Sequence, residues 1–95
     1  MEVITISGSV VGKCETKTDK VGREYIRFRV SCYDKDNNGE MQQRFYRCFS
    51  YNTKYSGLTE GDLVFVNGKF SCTIYKDKVF FEVYCQNISK ANKEL

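Results

Sequence analysis

The sequence contains no histidine, no proline and no tryptophan. Without histidine, there is no imidazole that could serve as the general base for a serine or cysteine nucleophile. The nucleophile motif G-x-S-x-G and the phosphate-binding motif G-x-x-x-x-G-K-[ST] are also absent from the chain. The sequence therefore favours a binding protein over an enzyme, and no catalytic residue is predicted.

Signatures of metal sites and of disulfide frameworks are weak. The cysteines are odd in number, no C-x-x-C pair occurs, and there is no histidine to complete a zinc site. Most of them lie inside strand-like runs, so in a reducing compartment we predict small core side chains, with a zinc site or a disulfide as the alternatives. They are Cys14, Cys32, Cys48, Cys72 and Cys85. No metal ion and no cofactor is predicted.

Targeting and membrane signals are also missing. The first residues, MEVITISGSV, lack a basic region followed by a long apolar run, so neither a signal peptide nor a transmembrane segment is predicted. We expect a cytoplasmic protein with no membrane partner and no small-molecule substrate. The formal net charge of +3 is small, so the position of the charges carries more information than their sum.

The chain reads as short strands separated by polar turns, and its 95 residues fit one domain. Because proline is absent, the turns must rely on glycine, asparagine and aspartate, as at Asn38-Gly39. Residues 12–24 read as a polar loop or loose hairpin, and residues 52–61 could hold one turn of helix. Glycines within two strands, Gly8 and Gly68, suggest bends. Strands are predicted over residues 2–11, 25–33, 43–51, 62–75 and 78–88.

Five strands with at most a short helix between the third and the fourth predict an all-β protein, an OB-fold Greek-key barrel. An SH3-like barrel is the alternative, although its strands are usually shorter. Residues 1–88 would form a single OB-fold domain, and residues 89–95 a C-terminal tail.

The second strand, YIRFRVSCY, alternates in a way that bears on function. Strands point successive side chains to opposite faces. One set is apolar and belongs in the core, whereas the other pairs cationic with aromatic side chains. The core set is Ile26, Phe28, Val30 and Cys32, and the outer set is Tyr25, Arg27, Arg29, Ser31 and Tyr33.

The third strand has a similar alternation, and either of its sets could face the core. Arg47 in the odd-numbered set, and the small Cys48 in the even-numbered set, favour the odd-numbered set facing out. Phe49 could still be covered by the following loop. If the two strands pair as a hairpin, cations and rings share one face: Arg27, Arg29, Arg47, Tyr33, Phe45 and Tyr51.

A positive, aromatic face of this kind is typical of proteins that bind single-stranded nucleic acid. OB-folds bind oligonucleotides across strands two and three and at the loops joining strands 1–2 and 4–5. Aromatic side chains stack on bases, and cations contact phosphates. We predict phosphate contacts from Arg27, Arg29 and Arg47 on the strands, and from Lys13, Lys76 and Lys78 in the loops.

Several segments together resemble the bacterial and phage single-stranded DNA-binding proteins. VITISGSVV is similar to the first strand of that family, RFRVSCYDKDNNGEM to its second strand and the following hairpin, and RFYRCFSY to its third strand. LTEGDLVFVNGKF resembles the approach to its fourth strand. The resemblance covers residues 3 to 88 and implies an OB-fold that binds single-stranded DNA without sequence preference in replication, recombination or repair. RNA is a possible ligand too, since stacking does not distinguish the sugars.

The resemblance also implies individual site residues and an assembly. By position, base stacking falls on Tyr33, Phe45, Tyr51 and Tyr75, and the arginine of the third strand is Arg47. The family's members form homodimers or homotetramers through the first strand, whose exposed edge here suits such pairing. The given sequence stops just after the expected barrel, without the family's flexible tail and its acidic end. Either that tail was removed, or the protein is similar to the short, dimeric primosomal replication protein, so a replication-restart accessory protein is one alternative. An OB-fold module that binds a peptide or subunit on the same face is the other.

Overall fold

In the computed structural model, which describes residues 2–91, the chain forms five strands that close into a barrel. The strands, in chain order, are β1 (Val3–Thr18), β2 (Glu24–Lys35), β3 (Met41–Ser50), β4 (Leu63–Tyr75) and β5 (Lys78–Lys90). Their order around the barrel is β1-β2-β3-β5-β4, with β4 returning to β1. A single 3-10 turn, Thr53–Tyr55, is the helical element between β3 and β4 within the described chain. The predicted OB-fold architecture is therefore confirmed.

Most strand boundaries differ from the prediction by one or two residues, and the end of β1 differs by seven. β1 does not end at residue 11 but continues to Thr18, because an irregularity after Val11 lets it bend and resume pairing with β2. Gly12, with φ +74°, supplies the left-handed backbone at this point. At the other end, β5 extends beyond residue 88, with Ser89 and Lys90 opposite residues of β4. Residues 92–95 of the expected tail lie outside the described part.

Antiparallel pairs form most of the barrel, and one parallel pair closes it. β1 pairs with β4 through its first half and with β2 through its second half, the two meeting at Ser9. β3 pairs with β5 in parallel, with Arg47 opposite Glu82 and Phe49 opposite Tyr84. This parallel pairing places the outward side chains of β5 directly beside those of β3.

Close approach of the backbones explains why glycine stands at the two positions where bends were predicted. A Cβ atom added at Gly68 would lie 2.2 Å from the carbonyl oxygen of Tyr84, and one at Gly8 equally close to that of Ser31. The pairing of β4 with β5 shifts register between Asn67 and Gly68. Both positions therefore need glycine for space, so that neighbouring strands can cross closely as the barrel curves.

The core contains most of the side chains that alternation predicted, although Ser31 of the predicted outer set is only 5% exposed and Cys32 of the predicted core set is part-buried. Ile26, Phe28 and Val30 of β2 are essentially fully buried, and Ile6 and Val10 of β1 lie in the same cluster. Burial of such apolar surface is the main driving force for folding. The core strands thereby fix which side chains of β2 and β3 face solvent.

Four of the cysteines contact the core and one does not. Cys48 is fully buried, Cys14, Cys32 and Cys85 are part-buried, and all five are free thiols. The hydrogen bond with Cys85 and, as a smaller effect, burial both raise the pKa of the Cys48 thiol. The prediction of a core position is wrong for Cys72, which is exposed. It lies in the β4–β5 hairpin, where the neighbouring Tyr75 and Ile74 are exposed as well.

Tight turns join the strands as the composition suggested. Asp36 accepts hydrogen bonds from the backbone N–H groups of Asn38 and Glu40, and Gly39 adopts φ +78°. Lys76 and Asp77, both with positive φ, form the two-residue turn between β4 and β5. In residues 2–91, no helix is long and apolar enough to span a membrane. The same residues form no group of three or more potential metal ligands.

Candidate nucleic-acid interface

The outer surface of β2, β3 and β5, here called the cleft face, carries the predicted cations and rings. Tyr46, Cys48 and Ser50 are buried, so the odd-numbered side chains of β3 face outward, as predicted. The register between β2 and β3 places Arg29 opposite Arg47 and Arg27 opposite Phe49. The parallel pairing adds Glu82 and Tyr84 beside them. The face is thus three strands wide rather than two.

Four rings form a continuous row at one end of the cleft face. The ring centroids of Tyr51 and Tyr25 lie 5.8 Å apart, those of Tyr25 and Phe49 lie 6.4 Å apart, and Phe49 stacks on Tyr84 at 5.3 Å. These separations are typical of favourable aromatic pairs. Phe49 is half-buried, with the rings of Tyr25 and Tyr84 on either side of it.

A cleft of about 730 Å³ opens on the same face, between the end of β1 and the start of β5. Four cationic side chains line it against one carboxylate, that of Glu15, so the cleft favours an anionic ligand. Its volume is within the range of ligand-binding clefts. The lining residues are Val11, Lys13, Glu15, Arg27, Phe28, Arg29, Phe45, Arg47, Val79, Phe80 and Phe81.

Half of the predicted site residues line this cleft, and the other half lie outside it. Those in the cleft are Lys13, Arg27, Arg29, Phe45 and Arg47. Those outside it are Tyr33, Tyr51, Tyr75, Lys76 and Lys78. Phe45 is 46% exposed although its ring has no polar atom. Exposure of such a ring inside a cationic cleft favours a binding role for it.

The three predicted arginines differ in what they contact. Arg27 donates a hydrogen bond to Glu15 at 2.9 Å, and this bond is the main reason why the pKa of the Glu15 carboxyl is lowered. Both side chains are well exposed, so the pair is weak and screened by salt. Arg47 is paired more deeply, with Glu82. The side chain of Arg29 has no ion-pair or hydrogen-bond partner among the described residues, which leaves its guanidinium available to a ligand.

Tyr51 is held by the turn between β1 and β2. Its hydroxyl donates to Asp19 at 2.9 Å, and the Arg23 guanidinium lies 4.7 Å from the ring centroid. The hydrogen bond to the Asp19 carboxylate raises the pKa of the Tyr51 phenol. Backbone N–H donation from Arg23 is the largest of the effects that lower the pKa of Asp19. The ring is oriented by these contacts, yet it remains 56% exposed.

Other predicted rings stand at the tips of the two long hairpins. Tyr33, near the end of β2, is 63% exposed and lies opposite Gln43 of β3. Tyr75, at the end of β4, is 62% exposed, and the Lys76 ammonium lies 5.4 Å from its ring centroid. A ring with a cation beside it can contact a base and the adjoining phosphate together.

Sequence reasoning missed the contribution of β5. Phe80, Glu82 and Tyr84 alternate along KVFFEVYCQNI, and this period of two could have indicated a shared face. What the alternation did not reveal is which strand they adjoin. The parallel pairing with β3 brings Phe80 under the Arg47 guanidinium, 4.2 Å from its ring centroid, and Tyr84 against Phe49.

A second exposed apolar region lies away from the cleft face. Val3 of β1, and Leu63 and Phe65 of β4, are about half exposed. The edge of β1 is only partly open, since Val3–Ser9 pair with β4 while pairing with β2 begins at Ser9. The predicted exposed edge is therefore restricted to the side of β1 that faces away from β4.

Comparison with known proteins gives a consistent result. The model of the single-strand binding protein family matches residues 1–93. No curated protein sequence matches the chain significantly. Similar solved structures include the small single-stranded DNA-binding protein of Streptomyces coelicolor, with a TM-score of 0.77 and 18% identity over 95% of this chain and 92% of that one.

Two further structures share the fold. A Plasmodium falciparum SSB in complex with ssDNA has a TM-score of 0.75 and 16% identity, over 97% of this chain and 96% of that one. A deletion mutant of the single-stranded DNA binding protein from Thermus aquaticus has a TM-score of 0.73 and 14% identity, over 98% of this chain and 51% of that one. These identities are low, so the likeness in structure bears on the fold.

Proposed function

Because this chain belongs to the single-strand binding protein family, we propose that it binds single-stranded DNA on the cleft face without sequence preference. Membership of a DNA-binding family also agrees with the prediction that the chain is not an enzyme. The observation that carries the proposal is the exposed Phe45 ring in a cleft lined by Arg29 and other cations. Rings supply stacking for any base, and cations supply contacts to any phosphate.

Individual roles follow from exposure and partners. Stacking is assigned to the exposed rings Tyr33, Phe45, Tyr51 and Tyr75. Phosphate contacts are assigned first to Arg29, which has no partner in the described chain, and to Lys13, Lys76 and Lys78. Arg27 joins them by leaving its exposed pair with Glu15. RNA with the same bases would stack in the same way, so DNA is favoured here by family membership alone.

We further propose a biological setting and an assembly. Binding of single strands would support DNA replication, recombination or repair in the cytoplasm. The chain would act as a homodimer or homotetramer, and the partly open edge of β1 and the exposed Leu63 and Phe65 support this. The number of subunits determines how many cleft faces one strand of DNA can cross.

Quenching of tyrosine fluorescence by dT oligomers tests the proposal. Tryptophan is absent, so tyrosine emission is observed directly, and Tyr33, Tyr51 and Tyr75 lie where bases would stack. We expect saturable quenching whose affinity falls with salt, by about 0.7 log units per log unit of salt for each phosphate contact. Oligomers of graded length, with the mass measured in solution, give the stoichiometry. Absence of both quenching and salt dependence would refute the proposed function.

A further inference from the structure

Two arginines lie directly opposite each other at the centre of the cleft face, but only one of them is paired with a carboxylate. Arg29 on β2 pairs in register with Arg47 on β3. Like charges directly opposite one another across two strands are destabilising. Arg29 has no partner in the described chain, whereas Arg47 donates from Nη2 to Glu82 at 2.8 Å. The carboxylate therefore offsets one of the two positive charges.

Glu82 is held firmly in its position below the surface. It is only 8% exposed, and each of its carboxylate oxygens accepts a hydrogen bond. Oε2 accepts from Arg47, and Oε1 accepts from the Thr73 hydroxyl at 2.7 Å. A carboxylate with this little exposure and two donors is costly to separate from its cation. The pairing of Arg47 should therefore persist when a nucleic acid binds.

The guanidinium of Arg47 is also fixed by a ring. Its central carbon lies 4.2 Å from the centroid of the Phe80 ring, and its Nε atom is buried without a hydrogen-bond partner in the described chain. Arginine stacks on aromatic faces through its planar, delocalised group. Glu82 and Phe80 thus hold Arg47 as a flat group in the wall of the cleft, next to Phe45.

We infer that Glu82 is a positioning residue of the cleft face: it neutralises Arg47 and fixes it as part of a stacking surface for bases. Arg29, opposite it, is the arginine that meets phosphate. This inference rests on the proposed function and deepens it. From the sequence, both arginines are predicted to contact phosphate. The inference instead assigns the neutralised Arg47 to bases and the unpaired Arg29 to the phosphate backbone of the DNA.

Counterion release distinguishes these two roles. The salt dependence of binding counts the cations that neutralise phosphates, at about 0.7 per contact for single strands. An arginine already neutralised by Glu82 adds nothing to this count. Glu82→Gln keeps the size of the side chain and an oxygen for Arg47 but removes the charge, so it should release Arg47 to act on phosphate.

The experiment measures the affinity for a dT oligomer as a function of salt concentration. We expect E82Q to steepen the salt dependence by about 0.7, which enlarges the affinity loss between about 50 and 200 mM salt by roughly 2.5-fold. We expect Arg29→Gln to make it shallower by about the same amount. The double variant R47Q/E82Q should keep the salt dependence of the wild type, because the pair carries no net charge, but it should bind more weakly at every salt concentration, because the stacking surface of Arg47 is lost. Thr73→Val, which leaves the charges unchanged, is the matched control.

Either of two results would overturn the inference. The first is an E82Q protein with native thermal stability and an unchanged or shallower salt dependence. The second is a double variant R47Q/E82Q whose salt dependence is as shallow as that of R29Q, because Arg47 would then contact phosphate in the wild type. This comparison remains valid even if E82Q alone does not fold. Failure of the wild-type protein to bind dT at all would instead refute the proposed function, so the two failures are distinguishable.

Discussion

Replacing Phe45 and Tyr51 together by alanine is expected to weaken binding of dT oligomers by about 2–6 kcal/mol, because each base stack contributes roughly 1–3 kcal/mol. This corresponds to an affinity loss of roughly 30-fold to more than 10,000-fold, since about 1.4 kcal/mol is tenfold. Both rings are about half exposed, so their loss removes little from the core. The measurement is a fluorescence titration at fixed salt, with thermal unfolding to check the fold.

The two effects should add because the rings are far apart. Tyr51 is six positions after Phe45 and directly follows the end of β3, which corresponds to roughly 20 Å along the strand direction. Substitutions at this distance without shared partners are usually additive. The single variants should therefore each account for part of the loss, and their sum should equal the loss of the double variant.

Phe65→Ala is the matched control for this prediction. Phe65 is 54% exposed, similar to Phe45 at 46%, but it lies on β4 and does not line the cleft. Because Phe65 also belongs to the proposed assembly surface, the comparison uses a dT oligomer short enough to contact one subunit, and for this oligomer F65A should bind as tightly as the wild type. An equal loss of affinity from F65A and F45A, with folds intact, would contradict the placement of DNA on the cleft face.

Replacing Gly68 by alanine is expected to destabilise the barrel by about 3 kcal/mol or more, the upper range for overpacking. The added methyl would lie 2.2 Å from the Tyr84 carbonyl oxygen and 2.8 Å from the Cys85 Cα, and both are backbone atoms. No rotamer change can relieve such a clash, so β4 must separate from β5. The melting temperature should fall by roughly 12–24 °C, at about 4–8 °C per kcal/mol for a domain of this size.

Gly57→Ala provides the comparison for Gly68→Ala. A Cβ atom at Gly57 would meet nothing within 4 Å, and its φ does not lie in the left-handed region. Thermal and denaturant unfolding should therefore show G57A close to the wild type. Equal melting temperatures for G68A and G57A would contradict the close crossing of β4 and β5 at residue 68.

Much of the fold could be predicted from the sequence because alternation is a local signal. Alternation in YIRFRVSCY predicted the burial of Ile26, Phe28 and Val30 but not that of Ser31, and the alternation around Arg47 indicated the outward side of β3. The extension of β1 to Thr18 could not be read in this way, because its polar second half lies in an exposed ribbon without an apolar face. The β1–β2 pairing around the irregularity after Val11 supports that half instead.

The sequence predicted which side chains lie on the candidate site, but not which residues they pair with. Exposure of Tyr33, Phe45, Tyr51 and Tyr75 agrees with the predicted outward faces, while their roles stay predictions. The pairing of Arg47 with Glu82 joins residues 35 positions apart, across strands that are not consecutive in the chain. It follows from closure of the barrel, which no local pattern encodes.

The most direct measurement of the central proposal, that the outer surface of β2, β3 and β5 binds single-stranded DNA, is a titration of the ¹⁵N-labelled protein with a dT oligomer, followed by amide chemical shifts. We predict the largest shifts at Arg29, Phe45 and Phe80 in the cleft. The amides of Leu63 and Phe65, on the outer surface of β4, should move little. The reverse pattern, with shifts concentrated on β4, would contradict the account.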